Sequence, residues 1–204
     1  MIRLAAFLLS TLCCLGCRTA APAPGTASPP ALVSAEMEEL AALEDARSLG
    51  NGRIEALTRA PSVAIRERAL LALGRLQVPR TAGVIAAALD DRDARVRAMA
   101  AFALGQLGLA WTPVPPEVRA LAERRLNERL VEEEDRAVRA RIVEALGKVG
   151  TEKSLDALVA ELSRGGGVPA EAARALGVLA KSSDGQIVSG RATLQAEYLL
   201  RAPD

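Results

Sequence analysis

The stretch that decides the fold is residues 96–107, which read Val-Arg-Ala-Met-Ala-Ala-Phe-Ala-Leu-Gly-Gln-Leu. Its apolar positions Val96, Ala100, Ala103 and Leu104 are spaced i, i+4, i+7 and i+8, which places them on one face of an α-helix. Ala and Leu are strong helix formers, and short side chains let neighbouring helices approach closely. The stretch therefore predicts a helix that buries one face against other helices.

The same pattern occurs four times along the chain, and each copy contains a Leu-Gly pair. Successive pairs are separated by 31, 42 and 30 residues, which is typical of repeat proteins. The four pairs are Leu73-Gly74, Leu104-Gly105, Leu146-Gly147 and Leu176-Gly177. A shorter apolar-periodic stretch precedes the later copies, at residues 81–89, 116–130 and 154–162. Each unit is thus predicted to be a helix–turn–helix pair, which must stack on the next pair to bury its apolar face.

Polar residues mark where the second helix of a pair begins. Ser62, Asp93 and Asp135 each stand three residues before the first apolar position, and all are preferred N-cap residues. An arginine follows each aspartate by four residues, on the same helix face, at Arg97 and Arg139. The Gly after each Leu is predicted to permit either close helix packing or helix termination.

The Val-Arg and Ala-Leu-Gly elements of these copies resemble HEAT repeats, specifically the short HEAT-like repeats named after phycobilisome lyases. The resemblance covers residues 40–181 and implies an all-α fold, a short α-solenoid of stacked antiparallel helix pairs. We expect about four pairs in a domain of residues 35–181, with a helix over residues 35–49 ahead of the first pair. Such a signature is specific to fold and says little about function.

The composition restricts the chemistry that the chain can perform. It has no His, and its three Cys residues, Cys13, Cys14 and Cys17, all lie near its start. A His-based general base, a Cys–His or Ser–His pair and a zinc site of His and Cys are therefore excluded. The formal net charge is +1 and no basic stripe is present, which argues against nucleic-acid binding. We predict that the chain is not an enzyme and holds no metal or cofactor.

The first seventeen residues are typical of a bacterial export signal. A basic start with Arg3 precedes the apolar run 4–16, which is shorter than the roughly 20 residues that span a bilayer. Gly16 and Cys17 at its end resemble the lipobox of bacterial lipoproteins, which implies that Cys17 is lipidated and becomes the mature N-terminus. The lipobox prefers Leu where this chain has Cys14, so cleavage by an ordinary signal peptidase is the alternative.

The residues after the signal predict a tether. Residues 18–34 are rich in Pro, Ala, Ser and Thr, cannot bury a core and are expected to be disordered. In lipoproteins an Asp after the lipidated Cys often retains the protein in the inner membrane. Because Arg18 stands there, the resemblance favours the outer membrane, with the protein facing the periplasm.

The last residues, 182–204, are predicted to form a helix that caps the repeat array. Leu194 and Tyr198 are four residues apart and can share one helix face, which would cover the final repeat. The alternative is that residues 198–200 form an exposed docking element for a partner.

The third copy carries an insertion that contains Trp111, the only Trp of the chain. Insertions in solenoids often lie on the binding face, and Trp is enriched at interface hot spots. The alternative is that Trp111 covers a gap between repeats. As candidate partner contacts we take Trp111, Arg66, Arg97 and Arg139.

These observations favour binding over catalysis. We expect a non-catalytic protein-binding or scaffolding module that is exported and anchored by lipid in the bacterial cell envelope. Residues 43–47 also look like the start of envelope HEAT proteins, some of which carry a cyclophilin-type prolyl isomerase domain. The alternative function is therefore an accessory subunit of an envelope enzyme such as a prolyl isomerase, acting in trans.

Overall fold

The computed structural model describes residues 30–109 and 113–182, and all regular structure in these two ranges is helical. The helices are α1 (Pro30–Asp45), α2 (Arg53–Leu57), α3 (Val63–Leu76), α4 (Ala82–Ala87), α5 (Ala94–Leu107), α6 (Pro116–Glu132), α7 (Arg136–Val149), α8 (Leu155–Ser163) and α9 (Pro169–Ser182). Short 3-10 turns at Pro79–Thr81, Ala88–Asp90 and Glu152–Ser154 adjoin the short helices α4 and α8.

The helices are arranged as stacked pairs. Helix α2 packs on α3, α4 on α5, α6 on α7 and α8 on α9. The second helices α3, α5, α7 and α9 stack side by side in one row, and α1 extends this row by packing on α3. Among the first helices, α4 packs on α6. The predicted all-α solenoid is confirmed, with four pairs in the described residues and α1 in front of them.

The apolar columns that predict the second helices form the core. In α5 the side chains of Val96, Ala100, Ala103 and Leu104 are fully buried. The equivalent columns of α3, α7 and α9 belong to the same continuous core. Burial of one Leu, Ile or Val side chain contributes about 1.5–3 kcal/mol relative to exposure. The solenoid is therefore held together mainly by contacts between neighbouring second helices.

The glycine of each Leu-Gly pair lies within a second helix, and in the first three pairs it allows close contact with the next second helix. A Cβ built on Gly105 would lie 3.0 Å from the Cα of Ala145, and one on Gly147 would lie 2.8 Å from the Cα of Ala175. Gly74 has the same relation to Ala103, also at 3.0 Å. Of the two predicted roles for this glycine, the structure shows close packing.

The N-caps follow the sequence in two of three cases. The Asp93 carboxylate accepts a hydrogen bond from the Arg95 amide at 2.9 Å. The Asp135 carboxylate accepts bonds from the amides of Ala137 and Val138 at 2.8 and 3.1 Å. Ser62 stands at the N-cap of α3, but its side chain makes no capping hydrogen bond.

The first helix differs from its predicted bounds. It begins at Pro30, inside the tether predicted over residues 18–34, because the fixed φ of proline suits a first helical turn. It ends at Asp45 instead of residue 49, and Arg47 and Gly50 follow in left-handed conformation, with φ of 48° and 59°. The predictions for Cys17, Trp111, residues 18–29 and the capping segment from residue 183 lie outside the described residues.

Candidate functional site

The three predicted arginines lie at the junctions between successive helix pairs, and Arg66 is the first of them. Arg66 donates from Nε and Nη2 to the Asp91 carboxylate of the next pair, at 2.8 and 3.0 Å. Its Nη1 donates to the carbonyls of Ala60 and Pro61, at 3.0 Å each, in the loop that precedes its own helix. Arg66 thereby ties this loop to the second pair.

Arg97 repeats this arrangement one pair later. Its Nε and Nη2 donate to the two carboxylate oxygens of Glu133, at 2.8 and 2.9 Å. Its Nη1 donates to the carbonyls of Asp91 and Arg92, at 3.0 and 3.3 Å. The Asp91 carboxylate also accepts the hydrogen bonds from Arg66. Asp91 therefore links the arginines of two successive pairs.

Arg139 continues the series with a different acid. Its Nη1 donates to the carbonyls of Leu130 and Glu133, and its Nη2 donates to Glu161 of α8. Asp91 and Glu133 each stand two residues before an N-cap, but the loop before α9 has glycines at residues 165–167. The helix residue Glu161 therefore supplies the carboxylate that this loop lacks.

These residues form a continuous internal network, the arginine ladder, which comprises Arg66, Asp91, Arg97, Glu133, Arg139 and Glu161. Arg66 and Arg139 are only 5% and 2% exposed, and the hydrogen bonds described above engage their guanidinium groups within the chain. Partner contact through the three arginines stays a prediction, but the structure gives them an internal role. The ladder connects each helix pair to the next one.

The electrostatics of the ladder are clearest at Glu133. Burial by itself would raise the pKa of this carboxyl group. Hydrogen bonds from Arg97, from the Asp135 amide and from Arg129, together with the charge of Arg97, outweigh burial and lower the pKa to about 2. Glu133 is therefore ionised throughout the physiological pH range.

A groove lies along the row of second helices. A hollow of about 260 Å³ is lined by residues of α3 and α5 together with Arg141 of α7. A second hollow of about 550 Å³ lies between α7 and α9, and Arg141 also lines it. The two hollows thus share Arg141 in their walls, and we refer to them together as the second-helix groove.

The second-helix groove has both apolar and charged side chains in its walls. Leu71, Met99 and Phe102 are half-buried in its first hollow, and a Cβ on Gly74 would lie 3.6 Å from the Phe102 ring. Charges of both signs line the second hollow, where Glu144 pairs with Arg141 at 2.9 Å and with Lys148 at 2.6 Å. Arg141 is exposed, and because exposed ion pairs contribute little to stability, its guanidinium group can change partners at low cost.

The other hollows are less suited to a partner. One of about 570 Å³ borders Arg66 and Asp91, so its wall is part of the arginine ladder. Another of about 580 Å³ lies along α6 and is lined chiefly by charged side chains, including Glu117, Arg124 and Lys153. Of these hollows in the described part of the chain, the second-helix groove combines large apolar side chains with a position on several repeats.

Sequence reasoning did not select Met99, Phe102 or Arg141. The sequence did indicate two of them, because Met99 and Phe102 are the large apolar residues of α5 that lie outside its buried column. Trp111, the other predicted contact, lies outside the described residues.

The described residues show neither a metal centre nor a membrane span. Nowhere in residues 30–109 and 113–182 do three or more acidic, Cys or His side chains gather in a way that could hold a metal ion. The helices of these ranges also lack the combination of length and apolar character needed to cross a bilayer.

Comparison with protein families identifies the repeats. The family model for HEAT repeats matches residues 51–129, and the model for PBS lyase HEAT-like repeats matches residues 138–164. No curated protein matches the chain. The two matches lie within the predicted repeat region, and the chain therefore contains HEAT-like repeats arranged as an α-solenoid.

Proposed function

We propose that this chain is a non-catalytic protein-binding or scaffolding module that receives its partner along the second-helix groove. The observation that carries the proposal is the half-buried Phe102 and Met99 in a groove that extends over successive repeats. HEAT repeats commonly mediate protein interactions, which supports the same conclusion.

The side chains of the groove are of the kinds that protein interfaces favour. Aromatic residues, Met and Arg are enriched at interfaces, and hot spots tend to be large side chains in well-packed positions. Met adapts its shape to a partner because its side chain is unbranched and flexible. The arginine ladder links successive helix pairs, and a surface that is held in place before binding loses less free energy to ordering when the partner binds.

We further propose that the module is exported and anchored in the bacterial cell envelope through Cys17, on the periplasmic face of the outer membrane. The support is the sequence, with its basic start, the apolar run 4–16 and the Gly16-Cys17 pair. Residues 18–29 would then serve as a tether between the membrane and the repeat domain.

Site-specific photo-crosslinking in the native cell tests the binding proposal. A photoreactive phenylalanine analogue at position 102 should form an adduct with a partner protein. The same analogue at Ala120, an exposed residue of α6 outside the groove, should not form this adduct. Adducts at position 120 and none at position 102 would refute the use of the groove. If the partner were a prolyl isomerase or another envelope enzyme, the role of an accessory subunit would be favoured.

The anchoring proposal has its own test. The mature protein should begin at Cys17 and carry lipid, as measured by intact mass, and Cys17→Ser should release it from membranes. A native protein that is not membrane-associated, with its N-terminus elsewhere, would refute the lipid anchor and leave the binding proposal intact.

A further inference from the structure

The hollow of about 570 Å³ lies at the junction of the first two helix pairs, and among the described residues it shares none of its lining with the second-helix groove. Its walls are the loop before α3, helix α4 with the turn that follows it, and the loop before α5. Its volume is within the range of pockets that bind small molecules. Of the described residues, five charged ones line it, namely Arg59, Arg66, Asp90, Asp91 and Arg92.

Both carboxylates of this hollow are already paired, whereas two of its arginines are not. The Asp91 carboxylate accepts hydrogen bonds from Arg66 at 2.8 and 3.0 Å, and Asp90 pairs with an arginine of α6 at 2.6 Å. The exposed side chains of Arg59 and Arg92 form no ion pair or hydrogen bond within the described part of the chain. The described residues therefore leave two positive charges at this hollow without a counter-ion.

The remaining described residues of the wall are apolar, apart from Thr58, whose hydroxyl group donates to the Glu55 carbonyl at 2.7 Å. They belong to the loop before α3, to α4 and to the turn after α4, and they are Ala60, Pro61, Val84, Ala87 and Ala88. Guanidinium groups are planar and bind carboxylate and phosphate oxygens through paired hydrogen bonds. Such a wall suits a ligand that has an anionic group and an apolar body.

We propose that this hollow binds a small organic anion. Arg59 and Arg92 would hold its carboxylate or phosphate group, and its apolar body would lie against Pro61 and Val84. Because Arg59 is in the loop before α3 and Arg92 is in the loop before α5, the bound anion would bridge the first two helix pairs.

The arginine ladder already joins the two loops that carry these arginines. Arg66 is only 5% exposed, and it donates to the Asp91 carboxylate in one loop and to the Ala60 carbonyl in the other, at 2.8 and 3.0 Å. The two loops are therefore linked before the ligand arrives. A site that is ordered in advance loses less free energy to ordering when its ligand binds.

Calorimetric titration of the full-length protein with phenyl phosphate and with benzoate tests the proposal. At least one of these probes should bind saturably, and the tighter one identifies the anionic group as phosphate or carboxylate. Inorganic phosphate and acetate should bind more weakly than the corresponding probes, because they lack an apolar body to bury. Equal binding of the small anions would contradict the role of the apolar wall. If neither aromatic probe binds saturably, the proposal is overturned.

Three arginine variants locate the site. Arg59→Gln and Arg92→Gln should each weaken binding of the tighter probe about tenfold, because charge-assisted hydrogen bonds to the anion are lost. Arg136→Gln is the matched control, since Arg136 is also exposed and without an ion pair in the described residues but does not line the hollow. It should leave binding unchanged. An equal loss in Arg136→Gln, or no loss in the other two variants, would overturn the site.

Discussion

Arg97 donates two hydrogen bonds to the carboxylate of Glu133, at 2.8 and 2.9 Å, and so joins the second helix pair to the third. Its third nitrogen donates to the loop before its own helix. A single side chain therefore fixes both a turn within one pair and the position of the next pair. Glu133 is 1% exposed, so the loss of Arg97 would leave a buried carboxylate without its principal partner.

Removal of Arg97 should strongly destabilise the protein. For Arg97→Ala we expect the free energy of unfolding to fall by about 1–3 kcal/mol, because the buried Glu133 carboxylate loses two hydrogen bonds and keeps only those from Arg129 and the Asp135 amide. Urea denaturation followed by circular dichroism measures this change. Arg92→Ala is the matched control, since the Arg92 side chain is exposed and its substitution should change stability by less than about 0.5 kcal/mol. Equal losses from both variants would show that the ladder does not stabilise the fold.

Acid should lower the free energy of unfolding, because it protonates Glu133. Its pKa is about 2 in the folded protein and near 4.5 when unfolded, so between these values the unfolded chain binds a proton that the folded chain does not. The contribution of Glu133 is present above pH 4.5, decreases as the pH falls towards 2, and amounts to ~3 kcal/mol. Glu133→Gln should flatten the dependence of unfolding free energy on pH in this window. An unchanged slope would contradict the assignment.

Added volume at the contact between second helices should also be costly. Ala103 is fully buried, and its Cα faces Gly74 of the preceding helix. We expect Ala103→Leu to destabilise by about 1–3 kcal/mol, because an overpacked core forces side chains and backbone to shift. Thermal melts of this variant and of Arg92→Ala would show the difference. A melting temperature that stays at the wild-type value would mean that α3 and α5 are less closely packed than described.

The helices could be predicted because local periodicity and composition determine them. The buried column of α5 and the caps Asp93 and Asp135 follow rules that operate within one turn or two of helix. For Gly105 the sequence left two roles open, close packing and helix termination. The structure shows close packing against Ala145, and this outcome depends on the neighbouring helix.

The arginine ladder could not be predicted from the sequence, because each arginine pairs with a carboxylate that is distant along the chain. Arg66 pairs with a residue 25 positions away and Arg97 with one 36 positions away. The buried Glu123 is a similar case, since its carboxylate accepts bonds from Thr151 and Ser154 of the turn before α8. The second-helix groove could not be predicted either. The stacking of several helices decides which apolar side chains stay half-buried, and the sequence of one helix does not determine this.

Metal removal should have no effect. The absence of His, and of Cys beyond residue 17, leaves no soft ligands for a structural ion in the repeats. We expect the melting temperature in excess chelator to equal that in buffer. A stoichiometric ion in metal analysis, together with a lower melting temperature after chelation, would contradict this expectation.

The central claim is that the second-helix groove binds a protein, and the dissociation constant of the partner captured at position 102 tests it most directly. Phe102→Asp should weaken binding by about 30-fold or more, as expected for a hot-spot residue. The control Val131→Asp lies on α6, where Val131 is 75% exposed, and should leave the constant unchanged. Melting curves must first show that both variants are folded. Unchanged binding by Phe102→Asp, or an equal loss in Val131→Asp, would contradict the assignment of the groove as the binding surface.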